Sequence, residues 1–222
     1  MLTACKQNSS RTDATKVDSI TVIAEKLQNS NNVKIERKIV GDSLIIYSDS
    51  LYSNLEPKFT EISKNKFQSY KQKYKPGCVL DSGHFISGSG LYVSHECNEI
   101  CETYLCEKTT NRKMLLPSNY DAGILSMLLS PTCNQIIVCS SYDGPDYLDY
   151  YEDRAEIFFF NVTTGIGLKG IKPTFKFYTK DWSIEDLTWV NDKTIALKIY
   201  EGNRGGNASS IHYKYLKADI NK

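Results

Sequence analysis

"LSPTCNQIIVCSSYDG", residues 129–144, lines up without a gap against "LTWVNDKTIALKIYEG", residues 187–202, and this internal match decides the fold. Both stretches carry a turn with Asn or Asp, then a run rich in β-branched residues, then Tyr, an acid and Gly. A polar loop and another aromatic strand follow each of them, "AEIFFFNVTTG" (155–165) and "SIHYKYLKADI" (210–220). An earlier stretch, "ETYLCEKTTN" (102–111), matches "EIFFFNVTTG" (156–165), pairing Glu with Glu, Tyr104 with Phe158 and Thr-Thr with Thr-Thr. The offsets are 58 and 54 residues. Short apolar runs separated by turn residues at a recurring interval predict an all-β chain of antiparallel meanders.

This pattern resembles the blade grammar of β-propellers, where a Ser-Pro or Trp turn precedes one strand and a Thr-Gly turn closes the next. The likeness covers about residues 80–218, with units near 80–113, 129–165 and 186–218. It implies a small propeller-like or partial-propeller array. No repeated Trp-Asp dipeptide or Gly-His pair ties it to a named propeller family. A β-sandwich or an open sheet stack built from the same meanders is the alternative.

Upstream, "SITVIAEKL" (19–27) and "VKIERKIVGDSLIIYSDS" (33–50) read as further strands, with Gly41-Asp42 at a hairpin position. In "FTEISKNKFQSYKQKY" (59–74), the spacing of Phe59, Ile62, Phe67, Tyr70 and Tyr74 predicts one short helix near 58–75, with a basic edge strand as the alternative. Pro76-Gly77 ends it in either case. Residues 18–222 are therefore expected to form a single all-β domain.

Composition narrows the function classes. Hydrophobic residues make up 41% and charged residues 24% of the 222, ordinary for a globular domain. Basic and acidic residues nearly cancel, 27 against 26, which argues against nucleic acid as partner, because counterion release needs a concentrated basic surface. No apolar run reaches the roughly 18 residues of a membrane helix.

The N-terminus carries a second resemblance. Leu2-Thr3-Ala4-Cys5 is similar to a bacterial lipobox, with Ala4 the small residue before the cut and Cys5 the acylated residue. The resemblance implies a lipid anchor and a polar tether over residues 1–17, a preceding signal peptide, and membrane association through the lipid alone. It places the protein in the bacterial envelope. Lys6, standing where an aspartate would favour inner-membrane retention, points to the periplasmic side of the outer membrane. Setting Cys5 aside from the 7 cysteines leaves an even six, Cys78, Cys97, Cys101, Cys106, Cys133 and Cys139. In an exported chain an even set suggests disulfides, whose connectivity stays open.

Catalytic chemistry is hard to assemble. His84 lies in the Gly-rich turn "DSGHFISGSG", which lacks the lysine and helix of a phosphate loop, and His212 sits in an alternating strand. His95, Cys97, Cys101 and Cys106 could supply zinc ligands, but their spacing lacks a Cys-x-x-Cys knuckle. The expectation is therefore no enzyme and no cofactor, with disulfides at these cysteines. The strongest functional surface is "YDGPDYLDYYEDR" (142–154), where Asp143, Asp146, Asp149, Glu152 and Asp153 interleave with Tyr147, Tyr150 and Tyr151. Tyrosine anchors with acidic steering suit a basic protein partner. A solvated loop and a Ca2+ site departing from the EF-hand spacing are the competing readings. The matching loop "GNRGGNASS" (202–210) is glycine-rich and basic instead. The function expected is that of a non-catalytic envelope lipoprotein binding a protein, of the kind that inhibits a delivered toxin (an immunity protein). A glycan-binding or glycan-hydrolysing propeller-like protein is the alternative.

Overall fold

The computed structural model describes residues 44–78, 90–97, 101–120, 123–142, 152–202 and 211–220, and the backbone of 22–27 and 35–40. Three meanders form its frame. The first comprises β6 (Leu91–Cys97), β7 (Cys101–Glu107) and β8 (Lys113–Leu115). The second comprises β9 (Ser126–Leu129), β10 (Gln135–Ser141), β11 (Ala155–Val162) and β12 (Ile171–Thr179). The third comprises β13 (Ser183–Asn191), β14 (Thr194–Glu201) and β15 (His212–Asp219). Every pairing within these meanders is antiparallel.

The N-terminal segment completes all three sheets. β1 (Val22–Leu27), β2 (Ile35–Val40) and β3 (Leu44–Tyr47) join the first, giving the order β1-β2-β3-β8-β7-β6. The chain then adds β4 (Ser53–Asn54) beside β12 in the second sheet and β5 (Thr60–Glu61) beside β15 in the third. Residues 44–61 thus form a strap along the last meander strand of each sheet in turn.

Side-chain alternation explains why the sheets stack. Ile136, Val138, Phe158 and Phe160 face the first sheet and share a core with Leu91, Val93, Leu105 and Met114. Their strand neighbours Ile137, Cys139, Ile157 and Phe159 face the third sheet, packing with Ile184, Trp189, Ile195 and Leu197. β10 and β11 are buried on both faces, so they read as unbroken apolar runs, not alternating ones. Two cores between three sheets separate this molecule from a two-sheet sandwich. It is an all-β stack of meanders with one short helix.

That helix, α1 (Lys64–Lys73), is shorter than the spacing from Phe59 to Tyr74 predicts. Thr60 and Glu61, as β5, pair with Lys217 and Leu216, and the Ile62 N–H donates to the Tyr215 carbonyl (2.9 Å), so the stretch from Phe59 to Ile62 runs extended along the sheet edge instead of joining the helix. Ser63 then caps the helix, its Oγ accepting from the Lys66 N–H at 3.2 Å. Phe67, fully buried, packs on Tyr215 of the third sheet. The helix covers the sheet face that no further meander covers.

The cysteines divide unevenly. Cys78 pairs with Cys133 and Cys97 with Cys101. Four of the six disulfide candidates are thus bonded, and the other two, Cys106 and Cys139, are buried free thiols. Cys139 lies wholly inside the second core, on the middle strands, where among the described residues no other cysteine faces it. Burial pushes both thiols up in pKa, Cys139 with the further repulsion of Glu156.

Candidate functional site

The connections β6–β7, β10–β11 and β14–β15 leave the same end of the three meanders. In the first sheet the connection is the β6–β7 hairpin, whose base Cys97–Cys101 is disulfide-bonded and exposed. In the second it is the acidic loop, and in the third the glycine-rich loop. Residues 143–151 and 203–210 lie outside the described residues, and so do Asp143, Asp146, Tyr147, Asp149, Tyr150 and Tyr151. His84 and Cys5 fall outside them as well.

What is described is the footing of these loops. The Tyr142 N–H donates to the Arg154 carbonyl (3.0 Å), and the Ser141 hydroxyl donates to the same oxygen (3.1 Å). The Arg154 N–H donates to the Thr179 carbonyl (2.7 Å), and its Nη2 reaches the Gly202 carbonyl (2.6 Å). Arg154 is buried and joins the base of the acidic loop to the base of the glycine-rich loop. The Tyr120 hydroxyl also donates to the Asp153 carbonyl at 3.0 Å. The acidic loop therefore springs from a fixed base.

Of the loop's acids, Glu152 is exposed and Asp153 half-buried. Burial raises the Asp153 carboxyl above its ordinary range, Lys180 opposing and Glu152 adding to the shift. Asp153 lines a groove of about 770 Å³ between the strap and the end of β12. Phe59, Phe177 and Trp182 form its aromatic wall, Phe177 stacking on Trp182 with centroids 5.8 Å apart and Phe59 meeting both edge-on. Glu56 and Asp181 stand at its margin. On the other side, the Tyr178 hydroxyl donates to Asp49 (3.1 Å), which also holds Lys176 in an ion pair.

The groove, unlike the acidic loop, is not legible in the sequence. Its wall comes from the strap, β12 and the β12–β13 turn, which no local spacing connects. "KFYTKDW" (176–182), three aromatics in seven residues with charges between, was the available signal.

The zinc candidates do not converge on a common centre. Cys97 and Cys101 are joined to each other, Cys106 is buried, and His95 is exposed with its Nδ1 3.0 Å from the Thr103 hydroxyl. Among the described residues no group of three or more His, Cys, Asp or Glu side chains could hold a metal ion. None of their helices is long and apolar enough to cross a membrane. His212 lies at an exposed strand end, opposite Glu201.

Comparison with protein-family models, curated proteins and solved structures finds no match to this chain.

Proposed function

We propose that this is a non-catalytic binding protein of the bacterial envelope, lipid-anchored through Cys5, that captures a basic protein partner on the acidic loop and the adjoining groove. The observation that carries the reading is the loop's footing: five acids and three tyrosines over residues 143–153 rise from a base pinned by Arg154 and Tyr120. A fixed base lowers the ordering cost of a binding loop. Carboxylates speed encounter with a cationic surface, and tyrosines supply contact area. Within this class an immunity-type inhibitor of a delivered toxin fits best, in the periplasm on the outer membrane, because one acidic, tyrosine-bearing surface suffices to block a basic toxin.

The test is capture of a partner from envelope extract, or of the product of the adjacent gene, by the wild-type chain. Asp146→Asn with Asp149→Asn should slow association and flatten its salt dependence, and Tyr150→Ala should speed dissociation. A partner whose affinity ignores all three changes would show that this loop is only a solvated rim.

A glycan is the second candidate, favoured by the aromatic wall of Phe59, Phe177 and Trp182 beside the carboxylates of Asp153 and Asp181. A glycan array read with wild type and Phe59→Ala separates the two, since a glycan reader loses binding there with the acidic loop intact.

A further inference from the structure

We propose that the outer edge of β12 at Tyr178 docks an extended, basic segment of the partner by strand addition. This rests on the partner-binding reading above and specifies its mode.

β12 alternates which edge its backbone groups face. The Lys176 carbonyl points outward and accepts from the Leu55 N–H at 2.8 Å, whereas the Thr179 carbonyl points inward and accepts from the Arg154 N–H at 2.7 Å. Tyr178, two residues beyond Lys176, therefore aims its N–H and C=O outward. The parallel ladder with β4 registers Phe175 with Ser53 and Lys176 with Asn54, and goes no further. Carried on by one step, it would need residue 57 to donate to the Tyr178 carbonyl. Residue 57 is proline, which has no N–H. Among the described residues, no backbone hydrogen bond is made by Tyr178 on this edge. Glu56 and Pro57 of the strap line the groove at this point.

An incoming strand finds chemistry on both of its faces. Side chains pointing toward the third sheet meet the aromatic wall of Phe59, Phe177 and Trp182. Those on the other face pass over Tyr178 and Asp49. The charge balance favours a cationic occupant: Glu56, Asp153 and Asp181 line the groove against Lys176, already paired with Asp49, and Lys180, and Asp153 closes the acidic loop. Backbone pairing then gives affinity and alternate side chains give selectivity, as in other strand-addition sites.

The probe is an equimolar pool of dye-labelled, N-acetylated decapeptides alternating Lys with Val, Ile, Phe or Tyr. Its control is the same pool with every backbone amide N-methylated, which keeps charge and side chains but removes all strand donors. Anisotropy should show the control binding at least about ten-fold more weakly. Saturating peptide should slow hydrogen exchange at the Tyr178 amide by at least about ten-fold. Unchanged Tyr178 exchange, or no binding by the unmodified pool, overturns strand docking. Equal binding of both pools, lost in the Asp146→Asn, Asp149→Asn chain, also overturns it and leaves the acidic-loop reading standing. Failure of that reading itself would appear separately, as a captured protein indifferent to the loop substitutions.

Discussion

The Asn119 backbone N–H donates to one carboxylate oxygen of Glu156 and the Asn119 side-chain amide donates to the other, both at 2.7 Å. Glu156 belongs to β11 and is almost wholly buried, while Asn119 lies in the chain that leaves the first sheet. The pair ties two sheets together at the end where the acidic loop emerges.

That clamp makes stability depend on pH. Burial pushes the Glu156 carboxyl up to about 7, against the Asn119 hydrogen bonds and the Ser140 hydroxyl that lower it. A carboxyl raised in the native state binds a proton there that the unfolded chain has already released. Its stabilising contribution is therefore complete below about pH 4.5 and declines as pH rises to about 7. At about 1.4 kcal/mol per unit, the decline is about 3 kcal/mol. Urea melts of Glu156→Gln at pH 5 and pH 8 should show the gap between them shrinking by an amount of that order. A gap unchanged from wild type would assign the pH dependence to other groups.

The two disulfides should differ in worth. Cys78–Cys133 spans 55 residues and Cys97–Cys101 only 4. In the chain-entropy account, closing the longer loop stabilises by about 4 kcal/mol and the shorter by about 2 kcal/mol. The longer bridge also fastens the chain after α1 to the β9–β10 turn, where the Gly77 N–H already donates to the Pro131 carbonyl (3.1 Å). Thermal melts of Cys78→Ser and Cys97→Ser should rank in that order. A larger loss from Cys97→Ser would mean that native contacts, not loop length, set the value.

The thiols of Cys106 and Cys139 should be silent until the chain unfolds. Burial keeps both protonated and covered, and thiolate is the reactive form. Alkylation of the oxidised protein followed by peptide mass mapping should modify neither residue in buffer and both in denaturant. Rapid labelling of Cys139 in buffer would contradict a fully packed second core.

Much of this fold can be read in the sequence, and the place where reading slips is instructive. The 54-residue match pairs Tyr104 with Phe158 and Leu105 with Phe159. Leu105 and Phe159 indeed both face the following sheet. The 58-residue match fails by one residue on β14. It equates Ile136 with Thr194, yet Ile136 opposes Phe160 while Ile195 opposes Ala218, and both pairs face the preceding sheet. The cause lies at the turn. Leu129 opposes Ile136 across a six-residue connection containing Cys133 at φ 63°, whereas Asn191 opposes Thr194 across the tight Asp192-Lys193 turn. Ile136 lies seven positions after Leu129 but Ile195 eight after the matched Leu187, the extra residue falling at the bulge between Trp189 and Asn191, and one added residue turns every following side chain to the other face. The strap was illegible for another reason. Its β4 and β5 are two residues each and exist only because distant strand edges accept them. Likewise the cysteine count was even, but parity carries no information about which sheet face a thiol occupies.

The strap supplies the final prediction, through Tyr52. This ring sits edge-on to Phe158 and Phe160, with centroids 5.1 and 5.7 Å away, between the first and second sheets. Burial, with repulsion from Tyr47, Tyr178 and Asp49, raises its hydroxyl far above the ordinary tyrosine value, so the neutral ring is what packs. Tyr52→Ala removes a large side chain from a site that the flanking 3-10 turn and β4 hold open. The cost should lie at about 3–5 kcal/mol, as for other buried aromatics cut to alanine. Tyr52→Phe keeps both edge-on contacts and should retain most of the stability. Because β4 and β5 have little pairing of their own, losing the Tyr52 anchor should also free the strap. Native-state hydrogen exchange should then quicken at Leu55 and Ile62, whose N–H groups donate to Lys176 and Tyr215, before it quickens on β10 or β11. Exchange that accelerates uniformly across all three sheets would mean that the strap and the stack unfold as one unit, with no independent opening of residues 44–61.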